Sequence, residues 1–354
     1  MSLKAWLAPP GEGVYTVNTG KEKRQRLQRA LYGDEDVRSA WERSLGNTLQ
    51  QPVALLGIPS DNGGGIHRGA NWGPLAVREA LLHDGTLFPD LGDVRVIPHL
   101  LHDKYLNAET LRACREALYG NASKDWPVAP LSIAEAALTE IYRHNQKLKV
   151  LGIGGDHSVS YPLVRAWAKS RAHSQIALLH FDAHTDLLDA RLGIDLCFGT
   201  WTYHVRDLFP SAAQLVQVGI RSTGKERGHW EGLGLTQLWA QEVHERGARQ
   251  IAQRIIDLYR SAGIKEVYLS FDIDALDARW ASATGTPEAQ GLDPIVCQEI
   301  IQAVAEAFPV TGADLMEVAP YVNFNPRPNN EQAQSLTVAA AMARALVRAL
   351  GVHA

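Results

Sequence analysis

From Val53 onward, short and almost wholly apolar runs alternate with longer stretches of helical period. This alternation restricts the fold more than any other feature of the chain. The apolar runs place strands at Val53–Ile58, Val94–Pro98, Lys149–Ile153, Gln175–Phe181, Gln214–Ile220, Glu266–Phe271 and Ala313–Val318. Between them, helical patterns fall near Pro74–Leu82, Ala108–Leu118, Ile133–Leu148, Tyr161–Arg171, Ala248–Ala262, Pro294–Phe308 and Glu331–Leu350. Strands that alternate with helices predict βαβ units on a parallel sheet. Runs that are apolar at successive positions predict strands buried on both faces. No internal repeat interrupts the pattern, and no Pro/Gly-rich stretch is long enough to link domains. Residues 51–354 therefore read as one domain. Residues 1–50 read as an N-terminal extension packed on it, with a Lys/Arg-rich helix over Lys21–Leu31.

Composition removes several classes of function. Thirty-five basic and 39 acidic residues leave a formal charge of −4, which is not the basic footprint of a nucleic-acid binder. No apolar run approaches the roughly 18–20 residues of a membrane span. The N-terminus lacks the apolar core of a secretory signal. Cys114, Cys197 and Cys297 lie far apart without a CxxC pair, so the expected setting is the reducing cytoplasm.

Three candidate strand ends carry polar clusters. They are Gly154-Gly155-Asp156-His157-Ser158, Asp182-Ala183-His184-Thr185-Asp186, and Ser270-Phe271-Asp272-Ile273-Asp274-Ala275-Leu276-Asp277. Open α/β sheets bind ligands outside the carboxyl ends of their strands. Residues at i, i+2 and i+4 of extended backbone share a side, which would make Asp182, His184 and Asp186 converge, and likewise Asp272 with Asp274. With His157, four carboxylates and two imidazoles then face one crevice. Four buried carboxylates repel one another unless protons or cations neutralise them. Two divalent cations would do so. This oxygen-rich donor set suits Mn²⁺, with Ni²⁺, Co²⁺, Zn²⁺ and Fe²⁺ as alternatives, and two such ions about 3.5 Å apart can turn a shared water into a nucleophile. Asp156 and Asp277 read equally well as turn or capping residues. His180, inside an apolar strand, reads as a satisfied core histidine.

Together these motifs resemble the ureohydrolase family of arginases, agmatinases and formimidoylglutamases. Supporting matches are Arg68-Gly69-Ala70 with Gly73-Pro74 and Arg78, Gly219-Ile220-Arg221-Ser222, Gly285-Thr286-Pro287-Glu288, and Glu317-Val318. The resemblance implies a three-layer α/β/α fold around a parallel sheet of about eight strands. It also implies two Mn²⁺ per subunit, a trimer or hexamer, and hydrolysis of a C–N bond in a guanidino or formimino group of a small substrate. The metal ligands it implies are His157, Asp182, His184, Asp186, Asp272 and Asp274. Asp186 would also orient the attacking hydroxide, and Glu317 would hold the planar amidine, a pairing suited to a bidentate, charge-assisted contact.

One departure stands out. Arginases and agmatinases carry a His-Gly pair whose histidine shuttles a proton to the leaving amine; this chain reads Leu196-Cys197-Phe198-Gly199-Thr200-Trp201. Phe198 cannot carry a proton. Either His204 supplies it, or the substrate is of the formimidoylglutamase kind, whose enzymes also lack this histidine, or the protein binds metal without turnover. The reading favoured here is formimidoylglutamase-like or another non-arginase activity, with an arginase, agmatinase or guanidinobutyrase as the alternative. A single-Zn²⁺ deacetylase of related fold would not need both Asp186 and Asp274. The aromatics Phe198, Trp201 and Tyr203 could narrow the pocket or simply pack. Arg191, Arg206, Arg221 and Arg327 are candidates for a substrate carboxylate, and the stretch Asn323–Asn330 could border the pocket.

Overall fold

The computed structural model describes residues 3–14, 21–63, 68–320 and 330–351, the side chains of 330–333 excepted. Nine strands form one sheet: β1 (Leu7–Ala8), β2 (Val53–Ile58), β3 (Asp90–Val94), β4 (Lys149–Gly154), β5 (Ile176–Phe181), β6 (Leu215–Val218), β7 (Thr236–Leu238), β8 (Glu266–Asp272) and β9 (Val310–Met316). Their order is β1-β3-β2-β4-β9-β8-β5-β6-β7. Eight are parallel, and only β1 at the edge runs antiparallel, against β3. Alternate residues feed two separate cores. Val53 and Leu55 join the layer that includes helices Gly73–His83, Ala240–Ser261, Pro294–Ala307 and Asn330–Ala349; Ala54, Leu56 and Ile58 join the layer of helices Val37–Thr48, Pro130–His144 and Ser160–Ala168. A strand that packs helices on both sides must be apolar at every position, as Val53–Ile58 is. The result is a three-layer α/β/α fold.

Two departures from the sequence reading are informative. The strand expected at Val94–Pro98 lies instead at Asp90–Val94, a polar stretch. Asp90 and Asp93 are buried there because Arg78, on the helix Gly73–His83, donates to both; its Nε and Nη2 reach the two Asp90 carboxylate oxygens at 2.7 and 2.8 Å. Gly57 leaves the room for this pair, since a Cβ there would fall 1.9 Å from an Asp93 oxygen. The helix expected at Ala248–Ala262 begins earlier, at Ala240, and turns at Gly247, whose φ of +73° breaks the helical path. Among the described N-terminal residues, Leu7–Ala8 extend the sheet, the helix Lys21–Tyr32 lies on Gly73–His83, and Trp41 donates to the Leu91 carbonyl at 3.1 Å. Among the described residues no helix is long and apolar enough to cross a membrane.

Candidate metal centre

The order β4-β9-β8-β5 sets four strand ends side by side, and every motif residue except His204 follows from this. His157 opens a short turn after β4, Glu317 follows β9, Asp272 and Asp274 close β8, and Asp182, His184 and Asp186 follow β5. Glycine permits the approach of the loops: a Cβ on Gly155 would fall 1.6 Å from the Ser60 carbonyl oxygen. Gly154-Gly155 thus serves packing rather than a phosphate cradle. The convergence of 182–186 does not come from extended backbone, because β5 ends at Phe181 and Asp186 takes φ +50°. Glu317 takes φ +61°. Two non-glycine residues in the left-handed region at one site are a local strain that the surrounding contacts must hold. Trp201 Nε1 donates to Asp186 at 2.8 Å, and Glu317 accepts the His157 backbone N–H at 2.8 Å.

Two donor groups share Asp182. His157 Nδ1 lies 3.2, 3.3 and 3.0 Å from carboxylate oxygens of Asp182, Asp186 and Asp272, and His184 Nδ1 lies 3.5 and 3.1 Å from Asp182 and Asp274. Two sets of side chains could hold metal, His157 with His180, Asp182 and Asp186, and Asp182 with His184 and Asp274; within each, the donor atoms lie within 4.8 Å of one another. The His157 Nδ1 is fully buried and has no hydrogen-bond partner, although three carboxylates surround it. An orphaned imidazole nitrogen amid carboxylate oxygens fits a divalent cation. The protonation pattern without metal shows the same frustration. Burial, then Asp182, pushes the Asp186 carboxyl up to about 8. Burial and the neighbouring Asp274 and Asp182 hold Asp272 well above the carboxylate range, and burial with Asp272 and Asp156 does so for Glu317. Burial opposes charge on His157, but Asp182 and Asp272 outweigh it and raise its pKa.

Beneath the candidate ligands, one polar row crosses five strands in register: Gln237, Gln217, His180, Ser270 and Asp314. Its hydrogen bonds have a fixed direction. The Trp239 indole can only donate, so it sets the Gln237 amide (2.8 Å). Gln237 then donates to Gln217 (2.8 Å), and Gln217 donates to Thr185 O (2.7 Å) and His180 Nδ1 (3.0 Å). His180 Nε2 must therefore carry the proton that it donates to Asp182 at 2.9 Å. Burial lowers the pKa of His180, consistent with a neutral ring. On the other side, His157 Nε2 meets Ser270 Oγ at 3.1 Å, which donates to Asp314 at 2.7 Å. Thr286 Oγ1 donates to Asp274 at 3.0 Å. The sequence reading gave no role to Gln217 or Asp314 and quoted Ser270 and Thr286 only within longer motifs; a single polar residue within the apolar run Leu215–Val218 is the signal for Gln217, whereas other polar residues in Glu266–Asp272 and Val310–Met316 obscure Ser270 and Asp314. His180 is the satisfied histidine anticipated. Asp156 caps its turn, accepting from Ser158 and Asn62 backbone N–H, and Asp277 accepts from Arg279 and Gly291.

The candidate ligands floor a cavity of about 460 Å³ whose lining includes Glu317, Thr286, Trp230, Phe198 and Arg191. The aromatics divide: Phe198 lines the cavity, Trp201 is buried against the rings of His157 and His180, and Tyr203 carries the Arg206 guanidinium at 3.6 Å. His204 is not among the lining residues; its Nε2 lies 2.9 Å from the Asp189 carbonyl oxygen. Arg221 is fully engaged, donating to the backbone carbonyls of Gly219, Asp274, Ala275, Leu276, Glu288 and Ala289. Arg327 and residues 323–329 lie outside the described residues. A larger groove of about 980 Å³, beside the helix Lys21–Tyr32, has no buried carboxylate or imidazole among its described lining.

With the geometry in place, the comparisons with known proteins have a clear reading. The arginase family model matches residues 51–348. The chain is 31% identical to the mitochondrial guanidino acid hydrolase of Homo sapiens over 76% of this chain and 71% of that protein, and 30% identical to the mitochondrial agmatinase of Gallus gallus over 76% and 74%. The crystal structure of formimidoylglutamase from Bacillus subtilis superposes with a TM-score of 0.65 at 20% identity, covering 83% of this chain and 86% of that one, a likeness of fold alone. The chain belongs to the arginase family and is a hydrolase of that family, acting on C–N bonds of linear amidines.

Proposed function

We propose that the protein hydrolyses a small guanidino compound to urea and an amine, using two Mn²⁺ ions. The observation that carries this reading is the pair of donor groups sharing Asp182, with the buried Glu317 carboxylate beside them at the floor of the cavity. His157, Asp182, Asp186 and Asp272 would hold one ion, and Asp182, His184, Asp272 and Asp274 the other. Bound there, the ions would supply neutralising charge and an acidified water at neutral pH. Glu317 would grip the guanidinium through a charge-assisted pair and turn its carbon toward that water. Asp186 would take the water's proton and pass it to the departing amine, because Phe198 cannot and His204 stands outside the cavity. Guanidino substrates are preferred over formimino ones on the names of the relatives near 30% identity, where formimidoylglutamase shares only the fold.

The test is product analysis with Mn²⁺-loaded protein on 4-guanidinobutyrate, agmatine, arginine and formiminoglutamate. Urea release from a guanidino compound is expected. Formamide from formiminoglutamate, with no urea from the others, would overturn the reading. Three cysteines without a disulfide among them suit a reducing compartment, and we place the protein there. A homo-oligomer is proposed on the resemblance alone.

A further inference from the structure

We infer that Arg191 forms the outer half of the substrate site, so that the cavity takes ω-guanidino carboxylic acids, with the guanidino end at Glu317 and the carboxylate on Arg191. This rests on the reading above, that a guanidino group is hydrolysed at the floor of the cavity. Arg191 is the only Lys or Arg among the described residues that line the cavity. Its guanidinium stacks 4.8 Å above the ring of Phe198, the residue that stands where the resemblance expects a proton-shuttling histidine. Arginine in this pose keeps its N–H edge free while the ring supports its face. The backbone is held as well. Arg191 and Ile194 exchange both hydrogen bonds, at 2.8 and 3.0 Å, around a two-residue turn in which Leu192 and Gly193 take φ of +51° and +85°.

Charge decides what the rim can receive. Five carboxylates line the described cavity, namely Asp182, Asp186, Asp272, Asp274 and Glu317. Two divalent ions would offset four, and the substrate's guanidinium the fifth. That leaves the Arg191 cation without a counter-ion, and no described carboxylate forms an ion pair with it. Glu288 is already engaged: it accepts from Ser222 Oγ at 2.8 Å and lies 3.6 Å from His184 Nε2. Arg68 lies against Gly63 and does not itself line the cavity. A substrate tail ending in a carboxylate finds a bidentate partner here; a tail ending in an ammonium meets a like charge.

The experiment compares steady-state kinetics of Mn²⁺-loaded wild type, Arg191→Ala, Arg191→Glu and Arg191→Lys on 4-guanidinobutyrate and on agmatine. Wild type should favour the acid by about tenfold or more in kcat/KM. Arg191→Ala should raise KM for the acid by about ten- to a hundredfold more than for agmatine, with the loss in KM rather than kcat. Arg191→Glu should reverse the preference, and Arg191→Lys should recover part of it. A wild-type preference for agmatine, or an equal effect of Arg191→Ala on both substrates, would overturn the inference and leave the proposed function intact. No urea from either compound would overturn the inference, and no urea from arginine as well would overturn the proposed function with it.

Discussion

Two groups of buried carboxylates are attached to this sheet, and they are neutralised in different ways. Beside β3, Asp90 and Asp93 face Arg78, which is itself only 3% exposed and donates to both. That cluster contains its own cation. At the carboxyl ends of β4, β9, β8 and β5, five carboxylates meet two imidazoles, and no Lys or Arg among the described residues pairs with any of the five. The first arrangement is a structural joint between a helix and a strand. In the second, the charge is left for something outside the polypeptide to balance, and the protein bears the repulsion until it arrives. Buried acid groups therefore signal function when their counter-charge is missing, more than by their number.

Removing a member from each cluster separates the two. Asp182→Ala, which takes away the ligand common to both donor groups, should lower urea release by about a thousandfold or more while the fold persists. Circular dichroism and a melting curve check the fold, and a folded, fully active variant would refute the shared role of Asp182. Arg78→Leu should do the opposite. It leaves Asp90 and Asp93 buried without a cation and should cost about 3–5 kcal/mol of stability, read by denaturant unfolding. An unchanged midpoint would show that the pair is not the joint described.

Acidity gives a finer contrast. Asp186 and Asp156 have folded values of about 8 and about 6, both above the roughly 3.9 of an unfolded aspartate. Each of these two groups therefore contributes stability to the metal-free fold that is full below about 4, where it is protonated, and is lost as pH rises through its folded value, about 6 or about 8. Mn²⁺ should remove the Asp186 part of this decline by taking the place of its proton, so the difference in melting temperature between loaded and stripped protein should widen from pH 5 to pH 8. A constant difference would contradict it. Gln217→Leu breaks the chain from Trp239 to His180 without touching a ligand, and should weaken Mn²⁺ binding by about ten- to a hundredfold in calorimetry. The smallest effect belongs to His204→Ala, whose turnover should stay within about twofold of wild type, because its ring sits at the Asp189 carbonyl outside the cavity.

Much of this was legible in the chain. Val53–Ile58 announces itself as a strand because burial on both faces favours an unbroken apolar run, and Ile176–Phe181 departs from such a run only at His180. The three acidic and histidine motifs are local in sequence, so their residue types could be read directly. Asp90–Val94 was illegible as a strand because its burial depends on Arg78, a partner known only from the packing. Thr236–Leu238 is too short to show a period. The row from Gln237 to Asp314 shares the cause of the Asp90–Val94 failure. Each strand carries at least one polar residue, and only the register reveals that these five are neighbours. His204 looked suitable by its spacing from Gly199, but the helix Trp201–Val205 turns it to the Asp189 carbonyl rather than to the cavity.

The most direct measurement is a titration of metal-stripped protein with Mn²⁺, following urea release and bound metal per chain together. Activity should be negligible without metal and should rise to saturation at about two ions per chain, as two donor groups sharing Asp182 require. Full activity in the stripped protein, or saturation at a single ion, would contradict the binuclear site.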